Sequence, residues 1–345
     1  MRGMSLVVLS ALGLALTACG SPASPSATTG ADSLKVLCTV DEAWCTKQVE
    51  AFQAETGIPT TFERKSAGDA LSLIRGAAGK PEFSVWWGGA SDTYEAAKGD
   101  GLLEPYQSPN AVGVDTRYKD ADGLWTGIYA GVLAFCSNSD MLRKDGLPAP
   151  TSWDDLLSPQ LQGQVSMAHP STSGTAYTAL WTLRTLLGSD DATFAYLDQM
   201  KANVGAFTTS GSAPVGEVSE GNAAVGVVFA HDCLSAINTG AQQLSVSFPT
   251  EGTGYEIGAT ALLKGAPNPD AARRWIDWVL TAKAQEIGAL AGAFQVPLNP
   301  DAAVSPLSVQ LRDVTLVDYN AVEAGAQRTA LTTRFEEQIA AAPTE

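Results

Sequence analysis

Hydroxyl side chains and a glycine crowd into the run Ser171-Thr172-Ser173-Gly174-Thr175, directly before the apolar stretch Ala176–Leu187. A helix starting there would aim unpaired backbone N–H groups, hydroxyl donors and the positive end of its dipole at one point, which is what an oxyanion needs. The chemistry expected of this loop is a clamp for phosphate, phosphonate or carboxylate. Runs of similar character are Thr39-Val40-Asp41-Glu42, Lys65-Ser66-Ala67-Gly68, Gly88-Gly89-Ala90-Ser91-Asp92 and Thr209-Ser210-Gly211-Ser212. Singly, each reads as an ordinary helix cap or turn. Several together on one sheet edge make an anion site.

His231-Asp232, closing the apolar run Ala224–Ala230, is the second arrangement with chemical potential. A metal site wants three or four ligands, and catalysis wants a nucleophile or cofactor beside the base. Two readings stay open: Asp232 caps the next helix with His231 bonded locally, or both hydrogen-bond to ligand hydroxyls. Glu256 is either a strand-entry residue or a polar contact across a cleft. The Gly252-Thr253-Gly254 that precedes it is no dinucleotide fingerprint, because a strand follows. The chain contains no phosphate-loop Gly-x-x-x-x-Gly-Lys-Ser/Thr, no Gly-x-Ser-x-Gly elbow and no His-Glu-x-x-His. No cofactor and no metal site are expected.

The elements that must position these loops alternate. Strand-like runs are Leu34–Cys38, Pro59–Glu63, Phe83–Trp87, Gly127–Phe135, Gln164–Ala168, Ala224–Ala230, Ser245–Pro249 and Glu256–Leu263. Helix-like runs are Glu42–Thr56, Ala67–Gly76, Thr175–Leu187, Ala192–Ala202, Val215–Glu220 and Pro269–Leu280, and Ala326–Ala341 has helical composition. Such alternation predicts an α/β fold with mostly parallel sheets, and in such sheets ligands bind where strand C-termini feed helices. Trp153, Trp275 and Trp278 read as core, whereas Trp44, Trp86 and Trp87 lie near strand ends, where one could stack on a ring.

The chain has 345 residues, 45% of them hydrophobic and 17% charged, and a formal net charge of −16. That length suits two lobes. The acidity leaves no basic field for a phosphate backbone, so nucleic acid is excluded as a partner. Residues 1–18 read as an export signal, with Arg2 before the apolar stretch Leu6–Leu16. Leu16-Thr17-Ala18-Cys19 has the order of a bacterial lipobox, which makes Cys19 the lipidation site, and the Ser/Pro/Thr-rich residues 19–32 read as a flexible tether. The expected location is extracytoplasmic, lipid-anchored to the cell membrane. The other four cysteines permit three pairings. Cys38 and Cys45 flank a strand-to-helix step short enough to bridge, so Cys38–Cys45 with Cys136–Cys233 is the expected set. Zinc is a poor rival, since the Cys spacings are wrong and the chain has 2 His.

Four stretches resemble the solute-binding lipoproteins of ABC importers, in their ferric-iron-type branch. They are Cys38-Thr39-Val40-Asp41-Glu42-Ala43-Trp44-Cys45, Val85-Trp86-Trp87-Gly88-Gly89, Pro170-Ser171-Thr172-Ser173-Gly174-Thr175-Ala176-Tyr177-Thr178 and Glu251-Gly252-Thr253-Gly254-Tyr255-Glu256-Ile257-Gly258. The resemblance implies a type 2 periplasmic-binding-protein fold, two α/β lobes closing by a hinge on one ligand. Lobe one would be residues 33–134 plus 259–345, and lobe two residues 135–258. Ferric members carry adjacent tyrosines where this chain has Ala230-His231-Asp232, a poor ligand set for hard Fe(III). Members with His-Asp there resemble hexose-phosphate and organophosphate binders. Carried over residue by residue, that implicates Ser66, Ser171, Thr172, Ser173, Gly174, Thr175, Ser210 and Gly211 for the phosphate. His231, Asp232 and Glu256 would read the remainder of the solute, with Thr39, Asp41, Glu42, Trp44 and Gly89 on the facing lobe. The resemblance implies a monomer that binds a small anionic solute without turnover and hands it to an ABC permease. Alternative ligands are Fe(III) or a thiamine-type cation held by Trp44 and Trp87. From another class, His231 and Asp232 would serve an extracellular phosphohydrolase.

Overall fold

In a computed structural model of the chain, residues 33–77 and 79–343 are described. The export signal, Cys19 and the tether lie outside the described residues. The first half contains β1 (Leu34–Cys38), α1 (Glu42–Thr56), β2 (Thr60–Arg64), α2 (Ala67–Gly76), β3 (Val85–Ala90), α3 (Ser91–Gly99), β4 (Leu103–Glu104) and β5 (Thr126–Asn138). Then come α4 (Ser139–Lys144), β6 (Val165–Ala168), α5 (Gly174–Leu187), α6 (Asp190–Met200), β7 (Val204–Thr208), α7 (Ala213–Glu220), β8 (Val225–Phe229), α8 (Ala230–Asn238) and β9 (Leu244–Ser247). The chain closes with β10 (Tyr255–Leu263), α9 (Pro269–Val279), α10 (Ala282–Leu290), β11 (Val296–Pro297) and α11 (Ala321–Gln338).

The sheet order is β2-β1-β3-β10-β5-β8-β6-β7. Parallel pairing, expected for most of the sheet, holds for β2-β1-β3 and for β8-β6-β7. Every antiparallel pair involves β5 or β10, the two long strands that run side by side through the middle. Those strands carry the chain from one parallel set to the other and back, so they must run against their neighbours. Each parallel set has its own core. Trp44, Phe52, Trp87, Trp275 and Ile276 pack on one side, and Phe135, Trp153, Tyr177, Trp181 and Phe194 on the other. The possible ring-stacking role for Trp44 and Trp87 is not what the fold provides. The two indoles meet edge to face at 5.3 Å, both buried, because a strand end and the first turn of α1 converge there.

Local signals explain the boundaries. α1 stops at Gly57, whose φ of 71° only glycine adopts readily. Asn268 caps α9 by accepting from the Ala271 N–H, with Pro269 in the first turn. Cys38–Cys45 and Cys136–Cys233 are both formed, with Cα atoms 6.2 and 5.8 Å apart, so the expected pairing is borne out. The first ties β1 to α1; the second ties β5 to α8. The C-terminal helix α11 joins the second core through Leu331 and Phe335 while its buried Arg328 pairs with Asp92 of α3 at 3.2 Å. Among the described residues no helix is long and apolar enough to cross a membrane.

Candidate functional site

The C-terminal ends of β1, β2, β3, β6, β7 and β8 open onto one cavity. Each strand delivers its own loop: Thr39–Asp41 after β1, Arg64 and Ser66 at β2, Gly89 at β3. Ser173–Thr175 follow β6, Ser210–Ser212 follow β7, and His231 with Asp232 follow β8. The long strands add Tyr129 and Glu256, and Gln295 closes the wall. Thus Thr39, Asp41, Ser66, Gly89, Ser173, Gly174, Thr175, Ser210, Gly211, His231, Asp232 and Glu256 share one lining.

Four expected residues lie elsewhere. Glu42 is exposed in the first turn of α1 and does not line the cavity. Trp44 is core, its Nε1 donating to Gln48 Oε1 at 3.0 Å. Ser171 Oγ sits 2.6 Å from Nδ1 of the buried His169. Thr172 Oγ1 donates to the carbonyls of His169 and Thr209, at 3.2 and 2.9 Å. Ser171 and Thr172 therefore shape the loop and tie it to its neighbour instead of lining the cavity.

Helix starts around the cavity are unusual in one respect. Asp41, Ser66 and Ser212 occupy the N-cap positions of α1, α2 and α7, yet none makes a side-chain capping bond. All three line the cavity instead, Ser212 Oγ donating to Asp41 Oδ1. Ser173 both lines it and caps α5, accepting from the Ala176 N–H at 3.3 Å, so its hydroxyl proton remains available to donate.

Arg64, Ser212, Tyr129 and Gln295 were missed by sequence reasoning. Arg64 had a usable signal: it is the last residue of a strand that feeds one of the candidate loops. Ser212 lay in a loop already singled out, but only its neighbours Ser210 and Gly211 were chosen. Tyr129 and Gln295 had none, since a mid-strand tyrosine and a loop glutamine reach the cavity only through tertiary placement. The Arg64 guanidinium donates from Nε to Val40 O and from Nη2 to Ser210 Oγ, both at 3.2 Å. Among the described residues it makes no ion pair with a carboxylate. A positive charge is thus held against hydroxyls and glycine-rich backbone, open to an anion.

The lining around His231 is acidic and buried. Burial drives the His231 imidazole down to about 3, so it is neutral, and its ring stacks on Phe229 at 5.4 Å. Nε2 lies 3.5 Å from Asp232 Oδ1 and 4.0 Å from Glu256 Oε1. Burial, then the negative charges of Asp92 and Asp41, pushes Glu256 up to about 8. Asp232 is raised too, by burial and then by Asp41 and Glu256, against a smaller pull from Arg64. At neutral pH Glu256 thus carries a proton, so this part of the lining donates as well as accepts.

Residues 89–321 match the family described as bacterial extracellular solute-binding protein. The chain belongs to that family. An uncharacterized protein of Haemophilus influenzae is 34% identical over 333 residues, 94% of this chain and 95% of its own length. The periplasmic binding protein AfuA of Actinobacillus pleuropneumoniae, solved with exogenous fructose-6-phosphate bound, superposes with a TM-score of 0.86 at 33% identity. That match covers 89% of this chain and 98% of the other. The periplasmic binding protein P5PA gives a TM-score of 0.85 at 30% identity, covering 89% and 99%. The expected family and fold class are borne out, and this solute-binding protein has the type 2 periplasmic-binding-protein architecture. In it, three hydrogen bonds link the strand-end loops of the two parallel sets. Arg64 reaches Ser210, Ser212 Oγ donates to Asp41 Oδ1 at 3.4 Å, and the Gly68 N–H donates to Thr172 O at 2.8 Å.

Proposed function

We propose that this solute-binding protein captures a small phosphorylated solute, a sugar phosphate or an organophosphonate, and delivers it to an ABC permease without turning it over. The observation that carries the reading is the polarity of the cavity: among the described residues Arg64 makes no ion pair with a carboxylate and donates to Ser210, while His231, Asp232 and Glu256 line another part. A phosphate group fits the first part, where Ser66, Ser173, Thr175, Ser210 and Gly211 supply hydroxyl and backbone donors. The neutral imidazole of His231 and the carboxyls of Asp232 and Glu256 hydrogen-bond to hydroxyls on the rest of the solute. The fructose-6-phosphate held by the relative AfuA supports this assignment.

Capture proceeds by closure of residues 33–134 plus 259–345 against residues 135–258, with α11, which packs in the second core and pairs with α3, bridging the two. A solute that touches both lobes stabilises the closed state through contacts absent from the open one. Micromolar affinity corresponds to about 8 kcal/mol, within reach of several charge-assisted hydrogen bonds in a closed cleft. Binding without chemistry is supported by His231, which among the described residues has no hydroxyl nucleophile hydrogen-bonded to it. The protein acts as a monomer outside the cytoplasm, anchored through lipidated Cys19.

Calorimetric titration with fructose 6-phosphate, followed by assay of the same sample for free phosphate, tests the reading. The expected result is a 1:1 complex with no phosphate released. Release of phosphate at a steady rate would overturn binding in favour of hydrolysis, and absence of binding by both sugar phosphates and phosphonates would overturn the solute class.

A further inference from the structure

α2 begins at the cavity, and its second residue touches the loop before α5 more closely than any side chain would permit. The Gly68 N–H donates to Thr172 O at 2.8 Å. A Cβ placed on Gly68 would stand 2.0 Å from Ser171 O and 2.7 Å from Thr172 O. Atoms at those distances must move apart.

The two carbonyls have little freedom to yield. The 169–173 turn is closed by bonds from the Thr172 and Ser173 N–H groups to His169 O, at 3.2 and 2.9 Å. The Thr172 hydroxyl fastens it to Thr209, and the His169 N–H fastens it to Thr208 O at 2.8 Å. The other links across the cleft run through side chains, Arg64 to Ser210 and Ser212 to Asp41, which adjust by changing rotamer. Among the three bonds between strand-end loops, only that of Gly68 joins backbone to backbone.

We infer that Gly68 is the closure seat of the cleft: a position where the absent side chain lets the two lobes meet, sets how far they close and adds a bond that exists only in the closed state. This rests on the proposed capture by two closing lobes. The glycine is not there for its backbone angles, since it lies inside α2 and not among the residues of positive φ. In an open cleft an alanine would fit and would favour the helix. The Gly68 N–H is also removed from the pool of donors available to the solute, so α2 contributes closure more than anion binding.

The test compares wild type, Gly68→Ala and Gly76→Ala, the last at the far end of α2 where a Cβ meets nothing within 4 Å. Without solute, Gly68→Ala is expected to melt at or above the wild-type temperature. A fall of several degrees would show that the contact belongs to the permanent fold and would overturn the closure seat whatever the solute is. With fructose 6-phosphate as probe, Gly68→Ala is expected to bind at least about thirtyfold more weakly, as overpacking of a tight contact implies. Its scattering radius should stay at the open value at probe concentrations that contract wild type and Gly76→Ala. Equal affinity in wild type and Gly68→Ala would overturn it as well. Failure of the wild type itself to bind the probe would strike the solute assignment alone, leaving the melting comparison to decide on Gly68.

Discussion

Apart from Ser173, which both caps α5 and lines the cavity, the polar α-helix starts in this protein fall into two groups. Far from the cavity, Ser189, Asn268, Thr281 and Asn320 each accept a hydrogen bond from the backbone of the helix they begin. Around the cavity, Asp41, Ser66 and Ser212 stand at the same kind of position and make no such bond. The residue types do not differ; the bonding does. A cap normally satisfies donors that would otherwise be orphaned, contributing about 1 kcal/mol. Where that bond is forgone at three starts that share one cavity, the cap side chains turn to the cavity lining instead, Ser212 reaching Asp41 across it. Stability and binding are thereby drawn from separate sets of chemically similar residues.

Arg64 anchors the binding side of this comparison, and its removal carries the largest expected effect. Arg64→Met should weaken fructose 6-phosphate by about a hundredfold, the loss of a charge-assisted pair in a closed site, measured by calorimetry. A change below about threefold would move the anion away from this wall. Next, Ser66→Ala and Ser212→Ala should each lower affinity by about tenfold with the melting temperature unchanged. If either melts lower and binds normally, it is an ordinary cap and the contrast between the two groups fails. Asn268→Ala and Ser189→Ala are the mirror image: about 1 kcal/mol less stable in denaturant unfolding, with affinity intact.

A separate test, read from the pH dependence of stability and not from affinity, concerns Glu256. Its native carboxyl is pushed up to about 8 from the ordinary 4.5. The folded protein therefore holds a proton that the unfolded chain has released between those values, so stability falls as pH climbs from about 4.5 to about 8 and is level above. Glu256→Gln should flatten that slope, with Asp232 leaving a remainder, and should overtake wild type in melting temperature at pH 8. An unchanged slope would place Glu256 in a wetter setting than the structure shows.

Much of the fold was legible because most elements carry their own signals. The bounds of α1 and α2 follow from the sequence alone, and strands such as β1 and β8 stand out as apolar runs. α3 did not stand out, since Ser91–Ala97 is buried throughout and shows no amphipathic stripe to read. β7 was missed for the opposite reason: Val204–Thr208 lies at the sheet edge and is half-exposed, with a glycine inside it. In the cavity, loops at strand ends were legible by rule. Which of their residues face inward was not, as Ser171 and Ser173, two positions apart, show by turning to different partners.

The sequence by itself determined the alternation of strands and helices, the loops at strand ends rich in hydroxyls and glycine, and a charge balance hostile to nucleic acid. These depend on short-range pattern and composition, which a chain carries wherever it goes. Tertiary structure alone decided that Arg64 meets Ser210, that Trp44 is core, and that Gly68 lies against Thr172. It also decided that His231 is neutral and Glu256 protonated. Those are outcomes of distant segments meeting and water leaving, and desolvation has no counterpart in the order of residues.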